Sequence, residues 1–198
     1  MDEAALIKAA QRGDAHAFNA LVLSYQSQVY NVAYRIMGDA ASASDVTQEA
    51  FLSAYKAIRS FRGGSFKSWI LRTVTNACFD ALRYRKRRPA TSLDGLGADD
   101  DSQEGDFEAF LASSEESPAD AAERAELRDA IARAALALPP DQRATFILSD
   151  VQGMSYEEIA DIMQTSLGTV KSRLSRARAK LRNYLLSRPE LLPDEFRP

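Results

Sequence analysis

Apolar residues recur three and four positions apart along nearly the whole chain, which places them on one face of an α-helix. The clearest stripe lies in residues 14–37. Its members are Phe18, Leu21, Val22, Tyr25, Val29 and Val32. Alternation of apolar and polar residues, the pattern of a half-buried strand, never continues over more than five residues. The spacing therefore predicts an all-α fold.

Two local signals predict where the first long helix ends and the next begins. Gly38 and Asp39 follow the last apolar position of the stripe, and glycine readily closes a helix. Ser42 lies three residues before Asp45, a spacing typical of a helix N-terminus. We therefore predict a second helix over about 42–60.

Charge is strongly segregated along the chain, although the totals of 25 Lys+Arg and 28 Asp+Glu nearly cancel. Residues 61–88 hold eight basic residues against Asp80, and residues 89–126 hold twelve acids against Arg124. A partner senses such local charge within a Debye length, about 10 Å. Two cationic patches separated by an acidic segment therefore describe the chain better than its net charge does.

The acidic segment also predicts the domain organisation. Residues 89–120 are rich in Gly, Ser and Asp and lack a sustained period, which is typical of a flexible, largely disordered linker. We therefore expect two small helical domains, 1–88 and 121–188, on either side of this linker. Residues 189–198 are expected to form a C-terminal tail.

Several classes of site are excluded by residue usage. Cys78 is the only cysteine and His16 the only histidine, so neither an internal disulfide nor a Cys/His metal cluster can form. Without a catalytic triad or a phosphate-binding loop, we predict no enzyme, no catalytic residue and no cofactor. The apolar runs are shorter than the roughly 20 residues of a membrane span, and no secretion signal is visible. We therefore expect a cytoplasmic protein without membrane insertion.

The second predicted helix carries two stripes. Its apolar stripe suits a core, while a separate stripe sets acids beside a leucine that faces away from that core. This second stripe consists of Asp45, Gln48, Glu49, Leu52 and Lys56, and its first four members are the candidate docking residues. From the residues alone, it is either a docking surface or a merely solvated face.

A helix beginning near Phe66 follows the pliable pair Gly63 and Gly64 and combines aromatic, basic and amide side chains. Rings can stack on unpaired bases while cations follow phosphates, so this segment is a candidate for binding single-stranded nucleic acid. The candidate residues are Phe61, Arg62, Phe66, Lys67, Arg72, Asn76 and Arg83. The alternative is an aromatic core with a solvated basic rim, which we favour for Trp69.

The clearest motif lies in the C-terminal half. Ser155 and Glu158 form a capping-box pattern, a turn follows at 164–166, and a longer basic helix comes next. The predicted inner stripe of that helix consists of Val170, Leu174, Ala177, Leu181 and Leu185. Two short helices in this relation predict a helix-turn-helix whose second helix enters the major groove of duplex DNA. The candidate DNA-binding residues are Thr169, Lys171, Ser172, Arg173, Ser175, Arg176 and Arg178.

Four segments in this order carry a family resemblance: "DVTQEAFLSAYKAI", "FKSWILRTVTNACFDALR", "LPPDQRATFILSDVQGMSYEEIADIM" and "GTVKSRLSRARAKLR". Together they resemble the extracytoplasmic-function (ECF) group of bacterial RNA polymerase sigma factors, over nearly the whole chain. The resemblance implies a sigma-2 domain before the linker and a sigma-4 domain after it. It also implies an alternative sigma factor that directs core polymerase to promoters in response to a stress or envelope signal.

The resemblance further implies a partner for each candidate surface. The stripe from Asp45 to Leu52 would dock on a coiled coil of the largest polymerase subunit, with a further contact between the chain and the flap region. The Phe61 to Arg83 set would open and read the minus-ten element, and the basic helix would read the minus-thirty-five element. Members of this group are commonly held by an anti-sigma factor, so we expect one here.

One residue departs from the family pattern. Relatives usually have glycine in the helix-helix turn, whereas this chain has Gln164, which must either adopt a left-handed conformation or alter the turn.

Two rival functions remain as alternatives to a sigma factor. A helix-turn-helix regulator acting without polymerase would not need the Trp-containing basic helix. An RNA-binding adaptor would leave the duplex-reading helix unexplained.

Overall fold

The computed structural model describes residues 2–87 and 118–191. These two ranges contain eight α-helices and no strand, which confirms the all-α prediction. In chain order the helices are α1 Glu3–Gln11, α2 Ala15–Met37, α3 Ala40–Ala57, α4 Phe66–Arg87, α5 Pro118–Leu136, α6 Pro140–Phe146, α7 Tyr156–Met163 and α8 Leu167–Leu186. Residues 89–117 of the predicted linker lie outside the described ranges, as does most of the predicted tail.

Side-chain caps fix the ends of α2 and α3. The Asp14 carboxylate accepts hydrogen bonds from the backbone at the start of α2, and Gly38 closes that helix at φ 86°. The predicted start of α3 at Ser42 is wrong, since the helix begins at Ala40. The reason is that the Asp39 carboxylate, at 2.7 Å from the Ser42 backbone nitrogen, provides the cap.

The first four helices pack around a dense apolar core. Val29, Val32 and Ile36 from α2 are fully buried, as are Ile70 and Val74 from α4. Helix α3 packs against both α2 and α4 through its small side chains. This leaves the opposite face of α3 open to solvent.

The remaining helices form a second layer that shares this core. A π-helical turn, Ile147–Val151, follows α6, and Gly153 then adopts φ 65° before α7 begins. Ile159 and Ile162 of α7 belong to the same buried cluster as Phe66 and Ile70 of α4. The two halves of the chain are therefore continuous through α4 and α7, a contact that the sequence did not predict.

Arg143 provides a polar link inside this layer. Its side chain is 9% exposed and donates to the carbonyl oxygens of Ile36 (2.6 Å), Leu136 (2.6 Å) and Leu138 (3.1 Å). Carbonyls near helix ends lack donors within their own helix, so the guanidinium satisfies groups that would otherwise be buried unpaired. Burial lowers the pKa of Arg143. The link ties α6 to the C-terminal end of α2.

Replacing Arg143 by alanine should therefore destabilise the protein. Each buried carbonyl that loses its donor costs about 1 to 3 kcal/mol, so we expect Arg143→Ala to lower the free energy of unfolding by about 3 kcal/mol or more. Arg143→Lys should recover only part of this, because a lysine ammonium lacks the planar fork that spans several acceptors.

Chemical denaturation followed by circular dichroism measures this effect. The matched control is Arg182→Ala, an exposed arginine of α8, which should change stability by no more than about 0.5 kcal/mol. Equal small changes in the two variants would contradict a structural role for the Arg143 link.

Candidate nucleic-acid and polymerase interfaces

The outer face of α3 is an exposed stripe. Asp45, Gln48, Glu49 and Leu52 all lie on the side opposite the buried alanines of this helix. Leu52 is 61% exposed and lies among the polar members of this stripe. The structure therefore brings together the four residues that the sequence singled out for docking.

The aromatic residues at the start of α4 form a cluster inside the protein. Phe66 is 1% exposed and Phe61 is 8% exposed. Their rings lie 5.9 Å apart, and Trp69 contacts both rings at 5.3 and 5.4 Å. Tyr25 of α2 packs on the other side of Phe66 at 5.3 Å.

This burial corrects the expectation that Phe61 and Phe66 present their rings to unpaired bases. Four aromatic rings pack edge to face and tilted, which gains more from mutual contact than from exposure to solvent. The two phenylalanines therefore support the loop and the start of α4 from inside. The aromatic-core alternative describes this cluster.

The polar members of the α4 set divide into two groups. Arg62, Asn76 and Arg83 are exposed, and Arg72 is half-buried. Arg83 lies 2.5 Å from Asp80 one turn away, but both side chains are more than half exposed, so this ion pair adds little stability. Lys67 differs, because its ammonium donates to the backbone carbonyl of Gln152 at 3.1 Å.

The helix-turn-helix begins with the predicted capping box. The Ser155 hydroxyl accepts from the Glu158 backbone N–H at 3.2 Å, and the Ser155 backbone N–H donates to the Glu158 carboxylate at 3.0 Å. Hydrogen bonds from the Ser155 backbone and then from the Ser68 hydroxyl lower the pKa of Glu158. Glu158 is therefore a fixed carboxylate at the start of α7.

Gln164 takes the left-handed conformation that its position requires. Its φ is 49° and its ψ is 52°, and its side-chain amide donates to the Asp161 carbonyl at 2.7 Å. The Ser166 hydroxyl then accepts from the Thr169 backbone N–H at 3.2 Å and starts α8. The turn therefore keeps its geometry without glycine.

Helix α8 separates an inward from an outward face. Val170, Leu174, Ala177 and Leu181 are buried, as the sequence predicted for the inner stripe. The candidate DNA-binding residues are graded by exposure. Lys171, Ser175, Arg176 and Arg178 are exposed, and Thr169, Ser172 and Arg173 are half-buried.

Two acids that the sequence analysis missed hold this helix in place. Arg173 pairs with Asp141 of α6 at 2.5 Å, and Arg178 pairs with Asp150 at 2.6 Å. The hydrogen bond that the Arg178 guanidinium donates to the Asp150 carboxylate is the main cause that raises the pKa of Arg178. Each acid lies about thirty positions from its arginine along the chain, so no local pattern could reveal the pair.

Arg176 lies between these two paired arginines and, within the described ranges, has no ion-pair partner. It lines an open groove of about 530 Å³ together with Pro140, Gln142, Thr169 and Ser172. An exposed cation beside hydroxyl and amide groups suits contacts to base edges and phosphates.

Comparison with known proteins agrees with this arrangement. Residues 21–88 match the family Sigma-70 region 2, and residues 128–181 match Sigma-70, region 4. The RNA polymerase sigma-H factor of Pseudomonas aeruginosa is 41% identical over 174 residues, which cover 87% of this chain and 88% of that protein. The chain belongs to the ECF group of the sigma-70 family. The ECF RNA polymerase sigma-E factor of Escherichia coli K12 is 39% identical over 181 residues, 90% of this chain and 91% of that protein.

Two solved structures share the fold. The sigma factor RpoE of Bartonella quintana, in complex with the anti-sigma factor NepR, matches 85% of this chain and 96% of its own with a TM-score of 0.61 and 27% identity. CnrH, in complex with the cytosolic domain of CnrY, matches 92% of this chain and 96% of its own with a TM-score of 0.64 and 24% identity. Sigma factors are transcription initiation factors, and this one has their architecture.

None of the helices within residues 2–87 and 118–191 combines the length and the hydropathy that a membrane span requires. The same ranges hold no group of three or more acidic, histidine or cysteine side chains arranged to bind a metal ion.

The left-handed turn of this sigma factor should tolerate only some residues at position 164. A β-branched side chain is strongly disfavoured at positive φ, so Gln164→Val should lower the free energy of unfolding by about 1 to 2 kcal/mol. Gln164→Gly should change it by less than about 1 kcal/mol, because relief of strain is offset by the extra freedom of glycine in the unfolded chain. Denaturant titration compares the two, and equal tolerance would contradict the turn geometry.

Proposed function

We propose that this sigma factor divides promoter-directed transcription among three surfaces. Helix α3 binds core RNA polymerase, α4 reads and opens the minus-ten element, and α8 reads the minus-thirty-five element. The observation that supports this best is the exposed α3 stripe, since a regulator that acts without polymerase has no need of it. The match of residues 21–88 to region 2 likewise disfavours that rival.

The α3 stripe has the composition of a docking surface. Leu52 supplies an exposed apolar anchor, and Asp45 and Glu49 place carboxylates two turns and one turn before it, respectively, along the same face. An apolar anchor with two carboxylates on one side favours a partner with a complementary pocket and basic groups that face those carboxylates. We assign this surface to the coiled coil of the largest polymerase subunit. A second contact joins another part of the chain to the flap region.

The α4 surface is assigned to the minus-ten element in a revised form. Arg62, Arg72, Asn76 and Arg83 offer cations and an amide to a single strand, while Phe61 and Phe66 hold the loop from inside. Lys67 belongs to this surface only when its contact with Gln152 is broken.

The α8 surface is assigned to duplex DNA. Thr169, Ser172 and Ser175 are small enough to let the start of the helix enter the major groove, and Lys171 and Arg176 can reach bases and phosphates. Arg173 and Arg178 are already paired with acids, so they fix the helix and offer only their remaining donors to phosphates.

The proposed setting follows from the family. The solved structure of RpoE contains the anti-sigma factor NepR, and we propose that an anti-sigma factor also binds this chain in the cytoplasm. That a stress or envelope signal releases the chain from this anti-sigma factor is a further prediction.

Reversing the charge of the α3 stripe should abolish docking. We expect the double variant Asp45→Lys/Glu49→Lys to lose binding to core polymerase, because two cations replace the carboxylates that attract a basic partner. Co-elution with core polymerase on size exclusion measures binding, and circular dichroism verifies the fold.

The control reverses two other exposed acids, Glu126→Lys/Asp129→Lys on α5, which also lie one helical turn apart. It should co-elute with polymerase like the unaltered protein. Normal binding by the folded α3 variant would exclude this surface from docking.

Two arginines on α8 should differ in the kind of binding they support. Arg176→Ala should relax preference at one base pair of the upstream element, with a loss of about 1 to 3 kcal/mol for the preferred sequence. Arg178→Ala should weaken all sequences alike and reduce the slope of log K against log salt by about 0.9. Holoenzyme binding to a promoter library at several salt concentrations measures both, and equal sequence-blind losses would show that Arg176 contacts no base.

A further inference from the structure

We propose that α1 positions the loop that precedes α4, and that Gln11 is the positioning residue through which it acts. This recognition loop, residues 61–65, connects the 3-10 turn Ile58–Ser60 to α4. Helix α1 lies before residue 21, where the match to Sigma-70 region 2 begins, and it belongs to none of the three proposed binding surfaces. The inference rests on the proposed role of the loop and α4 in reading the minus-ten element.

Gln11 is the last residue of α1 and reaches the start of the recognition loop. Its side-chain amide donates to the Phe61 carbonyl at 2.6 Å and to the Ile58 carbonyl at 3.4 Å. Gln11 is half-buried, and fifty positions separate it from Phe61 along the chain. The 3-10 turn that leads into the loop also packs against α1. The contact is therefore a tertiary one between two elements.

This contact restrains the direction in which the loop leaves the core. The Phe61 backbone N–H donates to the Ile58 carbonyl at 3.1 Å, so both backbone polar groups of Phe61 are held. The Phe61 carbonyl shares one planar peptide unit with the nitrogen and the Cα of Arg62. A donor on that carbonyl oxygen therefore orients the chain as it enters Arg62, the first exposed cation of the loop.

The middle of the recognition loop has few restraints of its own. Gly63 and Gly64 adopt φ 97° and 89°, and a Cβ at either position would meet no atom within 4 Å beyond its chain neighbours. The two glycines therefore lie in open space. At the far end, the Ser65 hydroxyl accepts from the Ser68 backbone N–H at 3.1 Å. Hydrogen bonds at its two ends thus define the loop, and Gln11 supplies one at the start.

A second contact holds α1 against the same region. The Tyr25 hydroxyl donates to the carboxylate of Glu3, the first residue of α1, while the Tyr25 ring packs against Phe66 at 5.3 Å. Burial, and after it the contact with Glu3, raises the pKa of Tyr25 to about 12, so this hydroxyl is a donor at neutral pH. One end of α1 is thus tied to the aromatic cluster beside the end of the loop, and the other end is tied to its start.

A loop that is held before a strand arrives loses less conformational freedom on binding, which favours affinity. A fixed start also limits which nucleotide Arg62 can reach. Gln11 should therefore affect both the affinity of the recognition loop and its preference among bases. It does so through the Phe61 carbonyl, because its own amide is directed at that oxygen.

Gln11→Met tests this role, because methionine has a side chain of similar length that donates no hydrogen bond. Holoenzyme assembled from core polymerase and the full-length variant is titrated with fluorescent single-stranded oligonucleotides. One oligonucleotide carries the minus-ten sequence of a promoter that the unaltered holoenzyme transcribes, and the others replace its bases one at a time. Gln26→Met, the same change at an exposed position of α2, is the matched control.

We expect Gln11→Met to bind the unchanged minus-ten sequence about fivefold more weakly than the unaltered protein does. Most of this loss should fall at the base that Arg62→Ala also ceases to discriminate. Gln26→Met should bind every oligonucleotide like the unaltered protein. Unchanged binding by Gln11→Met, or a loss of equal size at every base, would overturn the inference.

A double-mutant cycle shows whether Gln11 acts through the loop. Gln11→Met and Arg62→Ala together should weaken binding by less than the product of their separate effects, because both changes disturb one contact with the strand. Gln11→Met and Asn76→Ala should combine multiplicatively, because Asn76 lies on α4 outside the loop. Multiplicative effects in both pairs would contradict positioning through Arg62.

Trp69 separates positioning of the loop from loss of the core. It is the only tryptophan of the chain, and its ring lies 5.3 Å from that of Phe61, so its fluorescence reports on the aromatic cluster. We expect Gln11→Met to keep the emission and the circular dichroism of the unaltered protein, since ring packing still holds the cluster. A red-shifted emission or an unfolded variant would assign Gln11 to core stability and refute its positioning role.

Two outcomes distinguish this inference from the proposed function. If Arg62→Ala and Asn76→Ala both bind the oligonucleotide normally, the assignment of the loop and α4 to the minus-ten element fails. If both of these variants lose binding while Gln11→Met binds normally, the assignment holds and only the positioning role of Gln11 fails.

Discussion

The packing of α7 on α4 is the contact on which the rest of the structure depends. Ile159 and Ile162 enter the same apolar cluster as Phe66 and Ile70, so two helices about ninety positions apart become neighbours in one core. Removing such surfaces from water stabilises by about 25 cal/mol per Å². This contact fixes where the helix-turn-helix lies relative to α4, and every polar bond between the halves follows from that placement.

Buried polar groups then restrict the arrangement further. Apolar packing is nondirectional, whereas the Arg143 guanidinium must meet the carbonyls of Ile36, Leu136 and Leu138 together or leave them unpaired in the interior. The ion pairs from Arg173 and Arg178 act in the same way on α8. Basic residues in this sigma factor therefore serve two purposes, since some fix helices and others remain available to a polyanion.

The same contacts determine which of the three proposed binding surfaces are accessible to a partner in this structure. The stripe with Leu52 faces solvent because α3 buries only its small side chains against α2 and α4. Arg176 faces solvent because α8 buries its other face, which carries Val170, Leu174, Ala177 and Leu181. The start of α4 is different, since Lys67 and Ser68 bond to the other half of the chain. One core thus leaves two proposed binding surfaces accessible and covers part of the third.

The sequence by itself determined the helices, the capping box at Ser155 and the inner stripe of α8, because each depends on residues within one or two helical turns. At Gln164 it left two alternatives, a left-handed residue or an altered turn, and the backbone adopts the left-handed conformation at φ 49°. Only the tertiary structure decided that Phe66 is a core residue, that Lys67 is covered and that Asp150 holds Arg178. Aromatic and basic residues suit either a core or a nucleic acid, and the choice depends on neighbours tens of residues away, which no local spacing records.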